Sequence, residues 1–236
     1  ALGDLDGAEA RLEAAMALGH TRAFMARGML EVQREQALGG ATRTRASDRA
    51  LGLLAMGVDR GDPYAFHSLG IQLLEHSEDQ AGRRQGYALL SRALELGHTF
   101  SMNALGLYFL DADSDHYEPL RGIRHLEESA ARGDIYGYAN MGFLRLHGLG
   151  GTEVDHAAAL EWFRKAADQG HPTAPSSIGR MYFNGQIGGA PDLAQAVRWY
   201  DIGLARGDGW GGANAAAIIA GHAPSGLGPA DAALRA

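Results

Sequence analysis

The residues that could do chemistry in this chain are few and widely spaced. Asp111 to Glu118 reads Asp-Ala-Asp-Ser-Asp-His-Tyr-Glu and begins like a calcium loop. Its sixth position is His116 where such a loop needs glycine, and its twelfth is Gly122 where it needs glutamate, so the oxygen cage is incomplete. The segment is expected to be a solvated loop between helices. Two glycine clusters, Gly148 to Gly151 and Gly185 to Gly189, imitate phosphate loops, yet no strand precedes them and no Gly-Lys-Ser/Thr follows. A Gly-x-Ser-x-Gly elbow and a His-Glu-x-x-His helix are both missing from the sequence. With no cysteine there is no disulfide, no thiol nucleophile and no thiolate metal site. No catalytic residue, metal or cofactor is expected.

What the chain offers instead is a period. Gly19, Gly61, Gly97, Gly133, Gly170 and Gly207 fall at spacings of 42, 36, 36, 37 and 37 residues, and self-similarity at that length marks a repeat array. Nine residues after each anchor stand Gly28, Gly70, Gly106, Gly142, Gly179 and Ala216. Four before it stand Ala15, Gly57, Ala93, Ser129, Ala166 and Gly203, and four after it Ala23, Ala65, Ser101, Gly137, Ala174 and Gly211. Seven before it the column is bulky: Leu12, Leu54, Leu90, Leu126, Phe163 and Tyr200, with Leu53, Leu89, His125, Trp162 and Trp199 beside it. Small and large columns are arranged to interlock. The longer first spacing points to an insertion at Ala37 to Arg45.

Apolar residues before each anchor recur at helical spacing, as at Leu160, Phe163, Ala166 and Ala167, which predicts an amphipathic helix B. The anchor suits a helix C-terminus. His20, Asp62, His98, Asp134, His171 and Asp208 follow it as N-cap candidates, with Pro63 and Pro172 at the first position of a second helix, A. His20, His98 and His171 thus read as turn residues, too far apart along the array to share a metal. Helix A is expected to run to about Leu74, Leu110, Leu146 and Asn184.

Over Ala158 to Gly207 the columns resemble the Sel1-like repeat, a relative of the tetratricopeptide repeat: Ala159, Trp162, Phe163, Ala166, Ala167, Gly170, His171, Ala174, Ile178, Gly179, Tyr182 and Gly185 fit its pattern. The tyrosine three places past the second glycine is kept only at Tyr182, with Leu73 and Phe109 elsewhere, and Gly209, Gly211 and Gly212 degrade the last unit. The resemblance implies an all-α, right-handed α-solenoid of stacked helix-turn-helix units, about five to six of them. It also implies a non-catalytic adaptor that holds other proteins. Residues 1–221 read as one solenoid domain and 222–236 as a tail or partial capping helix.

By analogy with tetratricopeptide arrays, the positions three, six and ten after each anchor line a concave groove. They include Tyr64, Phe100, Tyr136 and Trp210, then His67 and Asn103 with Met25, and Ile71, Leu107, Phe143 and Arg180 with Met29. A partner peptide or helix is the expected occupant, since an exposed apolar patch marks an interaction site and aromatics anchor it. The tyrosines and phenylalanine at the first of these positions could instead pack on the next repeat. A net charge of −7 with one lysine, Lys165, and no basic cluster argues against nucleic acid. No apolar run approaches the ~20 residues of a membrane span. Arginine-rich usage suggests a bacterial source, cytoplasmic or periplasmic. The start at Ala1 in mid-repeat suggests a piece of something longer, so a regulatory or targeting module of a multidomain protein is the alternative reading.

Overall fold

Each anchor glycine turns the chain from one helix into the next. All six have φ between 75° and 90°, a conformation that costs a glycine no Cβ clash. The glycine amide donates to the carbonyl three residues back and the next amide to the carbonyl five back, as in Gly97 to Leu94 (2.9 Å) and His98 to Ala93 (2.9 Å). The same two bonds close all six helices, which is the Schellman arrangement.

The computed structural model describes residues 5–39, 47–77, 79–112, 114 and 116–221. Among these are twelve α-helices, one 3-10 turn and no strand. The chain divides into two compact units, Ala1–Leu105 and Gly106–Ala236. The first contains α1 (Leu5–Ala17), α2 (Thr21–Gly39), α3 (Asp48–Val58), α4 (Pro63–His76), α5 (Gln80–Glu95) and the start of α6 (Ser101–Leu110). The second holds the rest of α6, then α7 (Pro119–Ala131), α8 (Ile135–His147), the 3-10 turn Leu149–Gly151, α9 (His156–Asp168), α10 (Ala174–Phe183), α11 (Leu193–Ala205) and α12 (Gly209–Ile219). Odd-numbered helices are B and even-numbered ones A. The expected insertion and the C-terminal tail fall mostly outside the described residues, as do Asp113 and Asp115 of the acidic loop.

Helix starts follow the side chains available. Asp62, Asp134 and Asp208 cap α4, α8 and α12 by accepting from the amides of Tyr64 (3.0 Å), Tyr136 (2.9 Å) and Trp210 (3.1 Å). Pro63 takes the first position of α4, as expected. Pro172 does not take that place in α10, which starts at Ala174 with Pro175 in its first turn. The cap differs at this turn: His171 Nδ1 accepts from the Ala174 amide, three residues on, at 3.1 Å, where Asp62 and Asp134 accept from the amide two residues on. At the equivalent His98 turn, α6 begins only at Ser101, after bonds from Ser101 to His98 (3.1 Å) and Met102 to Thr99 (3.0 Å).

Within each unit the helices are held by one repeated contact. A Cβ added to Gly28 would lie 2.9 Å from Leu54, at Gly70 2.8 Å from Leu90, at Gly106 2.6 Å from Leu126, at Gly142 2.7 Å from Phe163 and at Gly179 3.1 Å from Tyr200. Each glycine of helix A is therefore the socket for the bulky residue of the following helix B, and all five knobs are buried. The knob residue's own helix approaches equally closely one turn earlier. Gly86 and Gly122 would each carry a Cβ within 2.8 and 2.6 Å of the carbonyls of Gly70 and Gly106. Ala50, Ala159 and Ala196 occupy the same position in their repeats and are fully buried. These residues form a fourth small column, eleven residues before the anchor.

The interlock makes a specific prediction at Gly142, whose three nearest would-be contacts are all atoms of the Phe163 ring. Gly142→Ala is expected to destabilise by ~1–3 kcal/mol through overpacking. In a Phe163→Ala background the same change should cost little, because the ring that it meets is gone. Urea midpoints of the four proteins measure the coupling; equal costs in both backgrounds would refute the socket.

Candidate functional site

The positions predicted for the groove separate by burial. Phe100, Tyr136 and Tyr64 keep 51%, 49% and 36% of their surface. His67, Ile71, Leu107, Arg180 and Trp210 are half-buried, as are Met25 and Met29. Phe143 and Asn103 are buried, at 3% and 8% exposure, and so do not line an open face. Phe143 is drawn inward because its repeat uses a phenylalanine knob. The Phe163 ring reaches past Gly142 and meets Phe143 edge-on at 4.9 Å, while His147 stacks on Phe143 at 6.3 Å. Asn103 follows a first turn with three-residue bonds, including its own amide to Phe100 (3.3 Å). Such a turn advances ~120° per residue instead of ~100°, which rotates the later positions inward.

Trp210 belongs to the last hydrophobic cluster, edge-on to the buried Tyr200 at 5.8 Å. Leu107 packs on the cluster of Leu126 and Leu144. Arg180 lies near enough to Tyr200 for its charge to favour the phenolate, though burial dominates and pushes Tyr200 up to about 12. The sequence-predicted site therefore reduces to an exposed aromatic at the third position past the anchor, repeated in both units.

In the first unit that aromatic sits in a built environment. Tyr64 meets His98 edge-on at 4.7 Å and carries the Arg22 guanidinium over its ring, 4.2 Å from the ring centre. His67 lies 4.4 Å from His98, and Phe100 5.8 Å from it. Both imidazoles reach one hydroxyl: Ser101 Oγ is 3.1 Å from His67 Nδ1 and 3.0 Å from His98 Nδ1. A single hydroxyl proton serves one ring, so the other Nδ1 must itself carry the proton it donates to Ser101 Oγ. The group resembles a serine with its base, but Ser101 is fully buried. Its work is to fix the rings.

The second unit repeats the central contact. Tyr136 meets His171 edge-on at 4.9 Å, so the third-position tyrosine of one repeat rests on the turn histidine of the next in both places where that histidine follows. The tyrosines thus pack on the neighbouring repeat and remain exposed at the same time. His98, Ser101 and Arg22 were not counted in the site from sequence. The available signal was the pairing of Tyr64 with His98 and Tyr136 with His171 at 34 and 35 residues, which a search for shared metal ligands does not detect.

Helix hairpins stacked through glycine sockets, with side-chain variety left to one exposed helix face, define an all-α repeat protein. The chain carries Sel1 repeats: the Sel1 repeat model matches residues 135–171 and 177–208. Among curated proteins it is 33% identical over 127 residues to protein sel-1 homolog 2 of Homo sapiens, covering 54% of this chain and 18% of that one. It is 37% identical over 60 residues to the ERAD-associated E3 ubiquitin-protein ligase component HRD3A of Arabidopsis thaliana, covering 25% of this chain and 9% of that one. The chain thus spans less than a fifth of either relative. The solved structure of c5321, a protective antigen of uropathogenic Escherichia coli strains displaying an SLR fold, is similar with a TM-score of 0.61. It shares 23% identity over 90% of this chain and 44% of its own, a likeness of fold. The fold class is that of the Sel1-repeat helical solenoids. Sel1 repeats commonly serve in protein–protein interaction and are typically non-catalytic. Among the described residues no helix is long and apolar enough to cross a membrane.

The buried imidazoles give the fold a pH dependence. Burial pushes His171 down to about 4 against the pull of Asp134, and burial with the charge of His98 brings His67 down to about 4. The unfolded chain binds these protons near pH 6.5, so stability is present above that pH and is lost as pH falls from about 6.5 towards about 4. Each histidine contributes on the order of 1–3 kcal/mol to that loss. His171→Asn, which retains an acceptor for the Ala174 amide, is expected to flatten the decline in urea midpoint between pH 7 and 4. An unchanged slope would show that the ring titrates freely.

Proposed function

We propose that the chain is a non-catalytic interaction scaffold whose helix A face anchors an apolar segment of a partner protein. Tyr64 and Phe100 are the anchors of the first unit and Tyr136 that of the second, with His67 and Ile71 at the edges of the first set. One observation carries the reading. Aromatic rings at the same repeat position stay exposed while the ring contacts with His98 and His171 hold them in place. Anchors ordered before binding lose little freedom on association, which raises affinity. Solvent-facing rings with no structural need for exposure are the residue type that dominates binding energy at interfaces.

The net charge of −7 leaves nucleic acid a poor fit for this face. The burial of Ser101 speaks against hydrolysis at its contacts with His67 and His98. A second reading has its own support: the short share of HRD3A and sel-1 homolog 2 that this chain spans fits a repeat module serving a larger protein. That module would use the same aromatic face.

The test is affinity capture from lysate of the source organism, comparing the wild type with a Tyr64→Ala, Phe100→Ala, Tyr136→Ala variant of equal helicity by circular dichroism. The wild type is expected to retain a protein that the variant loses by roughly tenfold or more, the effect of removing more than one anchor worth ~1–2 kcal/mol. Identical capture by both proteins would show that the aromatic face is not the binding surface.

A further inference from the structure

The second unit has a cleft that none of the groove residues line. It measures about 450 Å³ and lies among α7, α8 and α9, bordered by Glu127, Ala130 and Ala131, by Tyr138, Met141 and Arg145, and by Trp162 and Lys165. Ala130 and Met141 are buried and form an apolar floor. Tyr138 and Trp162 are half-buried and stacked, 5.9 Å apart with planes 26° from parallel. Lys165 holds its ammonium 4.3 Å over the Trp162 ring.

Charge decides what such a cleft would take. Arg145 and Lys165 stand against Glu127 alone, so the rim is cationic in a chain whose net charge is −7. Neither cation forms a salt bridge with a carboxylate among the described residues. Other surface arginines are paired, as Arg132 is with Glu128 at 2.6 Å and Arg92 with Glu95 at 2.8 Å. Arg145 follows Met141 and Tyr138 at helical spacings of four and seven residues, which sets its side chain on the face that floors the cleft. An incoming carboxylate would meet two charged donors beside an aromatic wall, and charge-assisted bonds of that kind are the stronger ones.

We propose that this cleft binds a short acidic segment of a partner protein, with one aliphatic side chain on the Ala130–Met141 floor between Tyr138 and Trp162, and a flanking aspartate or glutamate at Arg145 and Lys165. A nucleic-acid strand fits less well. The carboxylate of Glu127 lies on the rim, and the two cations are too few to track a run of phosphates. The site is independent of the exposed aromatics on helix A, and each can fail without the other.

Fluorescence anisotropy on the full chain tests it, using a fluorescein-labelled peptide with one leucine flanked by aspartates and its counterpart with asparagines. The aspartate peptide is expected to bind about tenfold more tightly at low salt, and to lose that advantage near ~1 M salt, where the screening length is ~3 Å. Arg145→Gln and Lys165→Gln, which leave Ala130 and Met141 of the floor in place, should each weaken it several-fold, and together remove the preference. Trp162→Ala should weaken both peptides alike, whereas Tyr64→Ala with Phe100→Ala should change neither. Equal binding of the two peptides overturns the proposal, as does indifference to the Arg145 and Lys165 changes. Tighter binding of a labelled single-stranded oligonucleotide than of the aspartate peptide would overturn it as well.

Discussion

Everything in the two units depends on how closely a helix A backbone can approach the next helix B. The glycines at positions 28, 70, 106, 142 and 179 leave room for Leu54, Leu90, Leu126, Phe163 and Tyr200, and any Cβ would stand 2.6 to 3.1 Å from those side chains. Close approach is what allows short helices to bury a large residue on so little surface. All the helices but α2 have ten to sixteen residues, and isolated helices of about that length are marginal in water, so stability has to come from this contact between hairpins. Dispersion and burial at each knob contribute ~1.5–3 kcal/mol, and the geometry that permits them recurs at the repeat period.

The same constraint explains a local polar defect. In the repeat around Gly133, Ser129 donates its hydroxyl to Asp134 Oδ2 at 3.0 Å. Around Gly61 and Gly207 the serine is replaced by Gly57 and Gly203, and the Oδ2 atoms of Asp62 and Asp208 are buried with no protein donor. Serine cannot be restored at Gly57, because its Cβ would fall 2.6 Å from that of Ala65 in the facing helix. It is tolerated at Ser129 only because the facing residue is Gly137, whose own Cβ would lie 2.7 Å from the serine oxygen. Around Gly207 both facing residues are glycine, and Ser176 of α10 fills the gap, within 2.2 and 2.3 Å of where their Cβ atoms would be. Packing distance outranks hydrogen-bond satisfaction at this crossing, and each repeat resolves the conflict with a different pair of small residues.

The helical hairpins, their order and the interlock of small and large columns were legible in the sequence because each column repeats and a period exposes it. The left-handed glycines and the aspartate caps were legible for the same reason. Angular position was less so. Counting offsets from the anchor assumes one helical phase, and the histidine turns break it: α6 starts at Ser101 and α10 at Ala174, so Asn103 turned inward and Pro172 missed the helix. Phe143 was misread because the count ignores the size of the neighbouring knob, and a phenylalanine in place of leucine reaches one position further. The Tyr64–His98 and Tyr136–His171 contacts join residues of adjacent repeats, and the cleft at Trp162 joins three helices. Contacts of that kind are set by how hairpins stack, which no single window of sequence displays.

The fixed columns also determine where function can vary. A residue that serves as socket, knob or close-approach position cannot change size without overpacking or leaving a void, so recognition has to be written at positions the interlock does not use. Two such sets exist in these repeats. One is the third position of helix A, where Tyr64, Phe100 and Tyr136 stand exposed. The other is the outer edge of helix B, one residue before the knob and two after it, where Trp162 and Lys165 project beside the buried Phe163. In the neighbouring repeats the residue before the knob is His125 or Trp199, and the one two after it is Glu128 or Ile202. The scaffold is common to these repeats and the chemistry at these edges is not, so a charged aromatic cleft in one repeat need have no counterpart in the next.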